Sequence, residues 1–381
     1  MGRRTALLAA IGVVLLAIVS QGLTRVQIAV ASQSAHQVAI GPYSGNLVVD
    51  ARTGRAFVAS QNGTIHSFST QSGALIQTVA VGARFHALAI VPRFRRLFVI
   101  NTTAEGIGTA VVVLDTQSGQ LLRRIAMSRD PHGLAVDERT ARVFVGTIGG
   151  VSVFDARPGA FLQVIHTPIQ GVPLGVYLDS RREHLFFTQE GVTINGLVPI
   201  QGGSSTVSMI DVPTNTVVRT VQVAAEPSLA ALDERTGRLF LVSRTMMVGD
   251  MVDTQHGTVI RAIPLNAPQP DAIGLDTRAG RLFLVASGNG AGGTGRVTLL
   301  DAGSGASVGS TLLGQYPWSI AVDERQARAY VVSDKATYVL DARTGAIRHT
   351  FHVGGGIVAI DQRTEHLIII GDRLVTIDVS R

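Results

Sequence analysis

The sequence predicts an all-β fold, a β-propeller of eight four-stranded antiparallel blades, on three observations. An apolar strand ending in Asp returns about every 44 residues, a second Asp-ended strand interleaves with it throughout, and a Gly-containing turn follows most of these strands. At roughly 150 residues per domain, 381 residues would suggest two or three domains, but an internal repeat overrides that prior. A hydrophobic fraction of 46% with 16% charged residues excludes a disordered chain.

Residues 1–31 stand apart from the repeat. Arg3 and Arg4 precede an apolar run from Ala6 to Val19, and Ala29-Val30-Ala31 suits a signal peptidase. The run falls within the signal-peptide range and short of the ~20 residues that span a bilayer. Counted on through Gly22 and Leu23, it is long enough for a retained, tilted anchor. Either reading places the body, residues 32–381, outside the cytoplasm as a single propeller domain, in the periplasm, at the cell surface or secreted.

The first phase of the repeat reads LVVDARTGRAFVAS from Leu47 and returns as GLAVDERTARVFVGT from Gly133, AALDERTGRLFLVS from Ala230 and IAVDERQARAYVVS from Ile320. Its anchors are Asp50, Val91, Asp137, Asp179, Asp233, Asp276, Asp323 and Asp361. The second phase, such as VVVLDTQSG from Val111 and TYVLDARTG from Thr337, has anchors Ser69, Asp115, Asp155, Asp211, Asp253, Asp301, Asp341 and Asp378. Alternation such as Val111 and Val113 against Val112 and Leu114 marks the strands. The chain ends decide the blade count. The last unit stops after three strands, while HQVAIG, residues 36–41, resembles a fourth strand ahead of the first unit. One strand, seven complete units and three strands make thirty-two, with the N-terminal strand closing the ring. Seven blades is the alternative, because Thr245 to Val252 places two Met, Gly249 and Asp250 where a strand is expected.

The second strands LFVIN (Leu97 to Asn101) and AYVVS (Ala329 to Ser333), with the flanking AVD and LD-x-x-x-G elements, resemble the YVTN-repeat β-propeller family, within the quinoprotein-dehydrogenase-like propeller superfamily. The resemblance covers nearly all of residues 36–381. It implies a propeller usually described as seven-bladed, with partners that differ among members, from cell-surface proteins to a periplasmic DNA-binding one. It implies no shared catalytic motif.

The repeated Asp and Gly are read as turn chemistry, Asp accepting backbone N–H bonds and Gly supplying positive φ. Arginine supplies all but one of the basic residues and is assigned no role. The residues entering the first strands are the place for a site, since they meet at the channel mouth. Six before the anchor stand Ser44, Phe85, Pro131, Pro173, Pro227, Pro270, Pro317 and Gly355, a turn-forming ring. Five before it stand Gly45, His86, His132, Leu174, Ser228, Asp271, Trp318 and Gly356. The candidate site is His86, His132, Asp271, Trp318 and Ser228, with Arg84, Arg129, Glu226 and Tyr316 close in sequence. The same ring also suits a wet channel lining that only satisfies blade ends. His86 and His132 with a distant Asp make a thin metal set, so no metal is assigned. His66, His349 and His352 are read as surface residues. Two long loops, Thr188 to Thr206 and Ala286 to Val297, interrupt the period on a scaffold where loops carry recognition. The Gly-rich second loop lacks the Gly-Lys-Ser/Thr ending of a phosphate loop.

Zero Cys removes disulfides, c-type haem and a lipoprotein anchor, one Trp cannot supply the docking contacts of quinone-cofactor propellers, and ten scattered His do not make a copper cluster. No cofactor is expected. Net charge is +6, but without the N-terminal segment 30 basic face 27 acidic residues, or +3, which argues against nucleic acid. The reading is an exported, non-enzymatic scaffold, monomeric, binding a peptide, glycan or small molecule at the mouth and touching membrane only through its N-terminal segment. One alternative is a lactonase-like hydrolase or lyase with His86 or His132 as general base. A second is weak, salt-sensitive nucleic-acid binding.

Overall fold

Strand residues that alternate between two faces, joined by turns too short for a crossover, fold each repeat into an antiparallel blade. The computed structural model describes residues 38–39, 43–82, 85–102, 109–127, 131–169, 171–191, 193–195, 198–200, 205–224, 226–265, 269–288, 294–371 and 373–380. The segment read as a signal or anchor, residues 1–31, lies outside the described residues. Among them thirty-two strands form eight four-stranded sheets, and two short strands make a separate hairpin. Blade 1 spans residues 43–80, blade 2 85–127, blade 3 132–166, blade 4 171–222, blade 5 227–264, blade 6 272–315 and blade 7 317–351. Blade 8 joins Ile357–Asp361, His366–Ile370 and Arg373–Asp378 to the N-terminal strand Val38–Ala39. Val38 pairs with Leu374 and Ala39 with Arg373, so the expected closure is present. The doubtful fifth unit is complete: its third strand is Val248–Asp253, paired on both sides, with Met246 and Met247 exposed in the turn before it.

First strands of neighbouring blades pack against one another around the whole ring, last to first. The second strands are the most buried and carry the blade-to-blade core. Eight apolar clusters fill the eight junctions, from Phe57, Leu97 and Val112 between blades 1 and 2 to Val58, Phe68, Ile368 and Ile370 between blades 8 and 1. A buried aromatic recurs at one place in seven second strands: Phe57, Phe98, Phe144, Phe186, Phe240, Phe283 and Tyr330. Among the described residues the single helical element is a 3₁₀ turn, Pro92–Phe94.

The turn Asp residues do what their position predicts. Asp137 accepts the Arg139 N–H (2.9 Å) and the Thr140 hydroxyl (2.6 Å), and Asp233 repeats this with Arg235 and Thr236. Four residues past the anchor the chain turns left-handed. Gly54, Gly237 and Gly280 take that position in three blades, whereas Arg95, Ala141, Glu183, Ala327 and Glu365 take it in the others at φ 52–59°.

Arginine, to which composition assigned no role, has one. In seven of the eight blades the first residue of the second strand reaches a carbonyl on the outer turn of the next blade. Arg55 bonds Thr116 O (2.8 Å), Arg96 Arg157 O (2.9 Å), Arg142 Val212 O (2.7 Å) and His184 Thr254 O (2.8 Å). Arg238 bonds Ala302 O (3.1 Å), Arg281 Arg343 O (3.3 Å) and Arg328 Val379 O (3.0 Å). At the blade 8 to blade 1 junction His366 turns back to Thr364 O, and the Thr70 hydroxyl instead bonds the buried Asp361 carboxylate at 2.6 Å.

Candidate functional site at the channel mouth

Strand parity sorts the connections by face. Because each blade runs antiparallel, the connection after a second strand returns to the same face as the linker that enters the first strand. Both sequence insertions are connections of this kind, so they stand on the face that carries the candidate residues. Among the described residues the opposite face holds the short turns after first and third strands, most of them opening on Asp. In blade 4 the expected loop is instead a strand extension, His184–Gly191 paired with Ser205–Asp211, and a small hairpin, Thr193–Asn195 with Val198–Ile200. The middle of the blade 6 loop, residues 289–293, lies outside the described residues.

A bulge recurs where the first strands begin. The register shifts between Phe85 and Ala87, Pro173 and Gly175, Pro227 and Leu229, and Pro317 and Ser319. An extra residue there leaves the ladder; it is His86, Leu174, Ser228 or Trp318. Blade 3 differs. Its shift falls between His132 and Leu134, Gly133 (φ 72°) is the extra residue, and His132 pairs with Gly146. The two histidines, alike in spacing, occupy unlike places: His86 in a bulge and His132 on the ladder, partly buried. Arg84, Arg129 and the side chain of His86 lie outside the described residues. Glu226 is exposed. In a ring of eight, blades 2 and 3 face blades 6 and 7, so Asp271 and Trp318 stand across the channel from the histidine blades.

Two groups of fixed side chains emerge here, one joining blades 5 and 6 and one on blade 7. Asp271, just ahead of the first strand of blade 6, accepts the Arg244 guanidinium at 2.9 Å on Oδ1 and the Ser287 N–H at 2.8 Å on Oδ2. Arg244 also donates its backbone N–H to the Ser228 hydroxyl (3.1 Å), and its side chain stays 51% exposed while that of Asp271 is 14% exposed. On blade 7 the Trp318 indole N–H bonds Asp334 (2.9 Å), and the ring stacks on Tyr316 with centroids 5.6 Å apart and planes 12° apart. Trp318 is 41% exposed. In blade 5, Asp250 accepts the Ala224 N–H at 2.6 Å and ties the linker leading to Ser228 into the blade. Burial pushes the Asp250 carboxyl up from its ordinary range, against the pull of that hydrogen bond.

Arg244, Ser287 and Asp334 escape a reading that tabulates only the residues before first strands. Each lies one residue past a second strand, so tabulating that position too would have found them. Among the described residues no three His, Cys, Asp or Glu side chains come close enough to hold a metal ion.

No protein-family model matches the sequence, and none of the curated proteins matches it significantly. Solved structures do. The computationally designed Ika8 protein aligns over 91% of this chain and 98% of its own, with a TM-score of 0.68 and 13% identity. BamB from Moraxella catarrhalis covers 90% of this chain and 99% of its own at TM-score 0.61 and 14% identity. Kuenenia stuttgartiensis hydrazine synthase covers 93% and 99% at TM-score 0.53 and 14% identity. The likeness is one of fold. The chain is a β-propeller of eight blades, and its chemistry rests on its own side chains.

Proposed function

We propose that this chain is an exported interaction scaffold of the YVTN-repeat type that takes its ligand at the channel mouth. One observation carries the reading. The mouth face combines the long insertions with side chains that are held in place yet reach solvent, the Arg244–Asp271 pair and the Tyr316–Trp318 stack. Side chains fixed before a ligand arrives lose little freedom on binding. An exposed indole and a guanidinium on the same face suit a ligand with one flat apolar side and polar groups, a glycan or a peptide. Export follows from residues 1–31, and fractionation of cells expressing the full chain checks that half.

The binding half is tested by a thermal-shift screen of oligosaccharides and peptides on wild type, Trp318→Ala and Asp271→Asn. A ligand that raises the melting temperature of wild type and fails to raise that of either variant is expected. A ligand that stabilises all three equally removes the mouth assignment.

A further inference from the structure

Fourteen of the sixteen strand-ending anchors are Asp; beside the two exceptions, Ser69 and Val91, stand Arg55 and Arg95, whose hydrogen bonds go to neutral acceptors. Ser69 stands opposite Arg55 on the ladder between the second and third strands of blade 1. At the same register Arg96 meets Asp115 at 2.9 Å and Arg281 meets Asp301 at 3.0 Å. Val91 ends the first strand of blade 2, where all seven other first strands end in a buried Asp. Its turn is the 3₁₀ turn, closed by Arg95 at φ 55°.

Arg55 and Arg95 line a cleft of about 300 Å³ between blades 1 and 2, on the face opposite the mouth, with Thr53, Thr116 and Gln117. No carboxylate lines it. Neutral acceptors hold both guanidiniums without cancelling their charge: Arg55 donates to the carbonyls of Thr116 (2.8 Å) and Gln117 (3.2 Å), and Arg95 to the Gln117 amide oxygen (2.5 Å). Asp50, at the start of the same turn as Thr53, is buried and bonded by the Arg52 N–H and the Thr53 hydroxyl. A planar guanidinium offers paired donors that match a tetrahedral oxyanion, and two of them bear on one cleft here.

We propose that this cleft binds the phosphate or sulfate group of a small ligand. The test is isothermal titration calorimetry at constant ionic strength in chloride, with inorganic phosphate, sulfate and glycerol 3-phosphate titrated separately. Saturable binding of at least one anion is expected, and the tightest of the three identifies whether the group is taken free or as an ester. Arg95→Gln should weaken it about tenfold or more. Ser69→Asp should do the same by giving Arg55 the partner that Arg96 already has; seven of the eight third strands end in Asp, so the fold accepts it. Arg139→Gln, whose guanidinium is paired with Glu183 at 2.6 Å, should bind as wild type does. No saturable binding, undiminished binding in Ser69→Asp, or an equal loss in Arg139→Gln overturns the proposal.

Discussion

Gly280 closes the first turn of blade 6 at φ +63°, and a Cβ built on it meets no atom within 4 Å. The cost of Gly280→Ala therefore comes from the backbone alone. A left-handed conformation costs an L residue roughly 1–2 kcal/mol. The smaller entropy of the unfolded alanine chain returns about 0.4–1 kcal/mol of that, which leaves a net loss of about 0.5–1 kcal/mol. Ala327 holds the equivalent turn of blade 7 at φ 52°, so Ala327→Gly runs the comparison backwards and should gain a similar amount, less a small loss from its partly buried methyl. Ala141 holds it in blade 3 at φ 57° but is 2% exposed, inside the core between blades 2 and 3. Losing its buried methyl costs about 0.8 kcal/mol, and Ala141→Gly should come out near zero. One position in three blades thus gives a loss, a gain and no change. Urea unfolding measures all three, and calorimetry should show about 1–2 °C per kcal/mol for a domain of this length, given roughly 2 cal/mol/K of unfolding entropy per residue. The reasoning fails if Gly280→Ala is as stable as wild type, or if the two alanine variants shift together.

Two other outcomes follow from the geometry. Deleting residues 35–41 should cost about 2–3 kcal/mol, at about 1 kcal/mol per net hydrogen bond for the lost ladder plus the uncovered apolar edge, and an unchanged urea midpoint would mean the strand does not close the ring. Acid should destabilise the protein. Asp211 and Asp301 are held below the usual carboxylate range by the hydroxyls and N–H groups of Thr214 and Ser304, and Asp341 by the adjacent Arg348 guanidinium. Groups with depressed folded values contribute stability above their unfolded value near 3.8 and lose it as pH falls through the folded one. The melting temperature should therefore decline from about pH 4 downward, less steeply in Asp341→Asn; a rise over that interval would contradict the assignment.

Blade number and closure were legible because they depend on local pattern: strand, Asp, turn and Gly, repeated until the ends show which strand is missing. What stayed hidden depends on partners far away in sequence. Asp250 looked like a break in a strand, yet it is a strand residue whose carboxylate takes an N–H from the preceding inter-blade linker. His86 and His132 looked equivalent, yet one glycine, Gly133, moves the bulge by a residue and separates their roles. The arginines carried a readable signal, recurrence five residues past the anchor at Arg55, Arg96, Arg142, Arg238, Arg281 and Arg328. Their targets lie 51–70 residues further on, where no short-range pattern points. At the mouth, spacing placed the candidate ring on the face where the insertions also emerge, but the partners that hold Asp271 and Trp318 come from a different connection.

The pairing of Val38 with Leu374 also sets a schedule. The two residues are 336 positions apart in the chain, and at ~5–20 residues per second a ribosome needs about 20–70 s to make one after the other. Each earlier blade can complete its own sheet as its fourth strand emerges; the strand that completes the last blade is made first and must wait for that blade. Throughout that interval the strand is an edge without a neighbour, open to wrong pairing. With two paired residues, it offers little for another chain to hold.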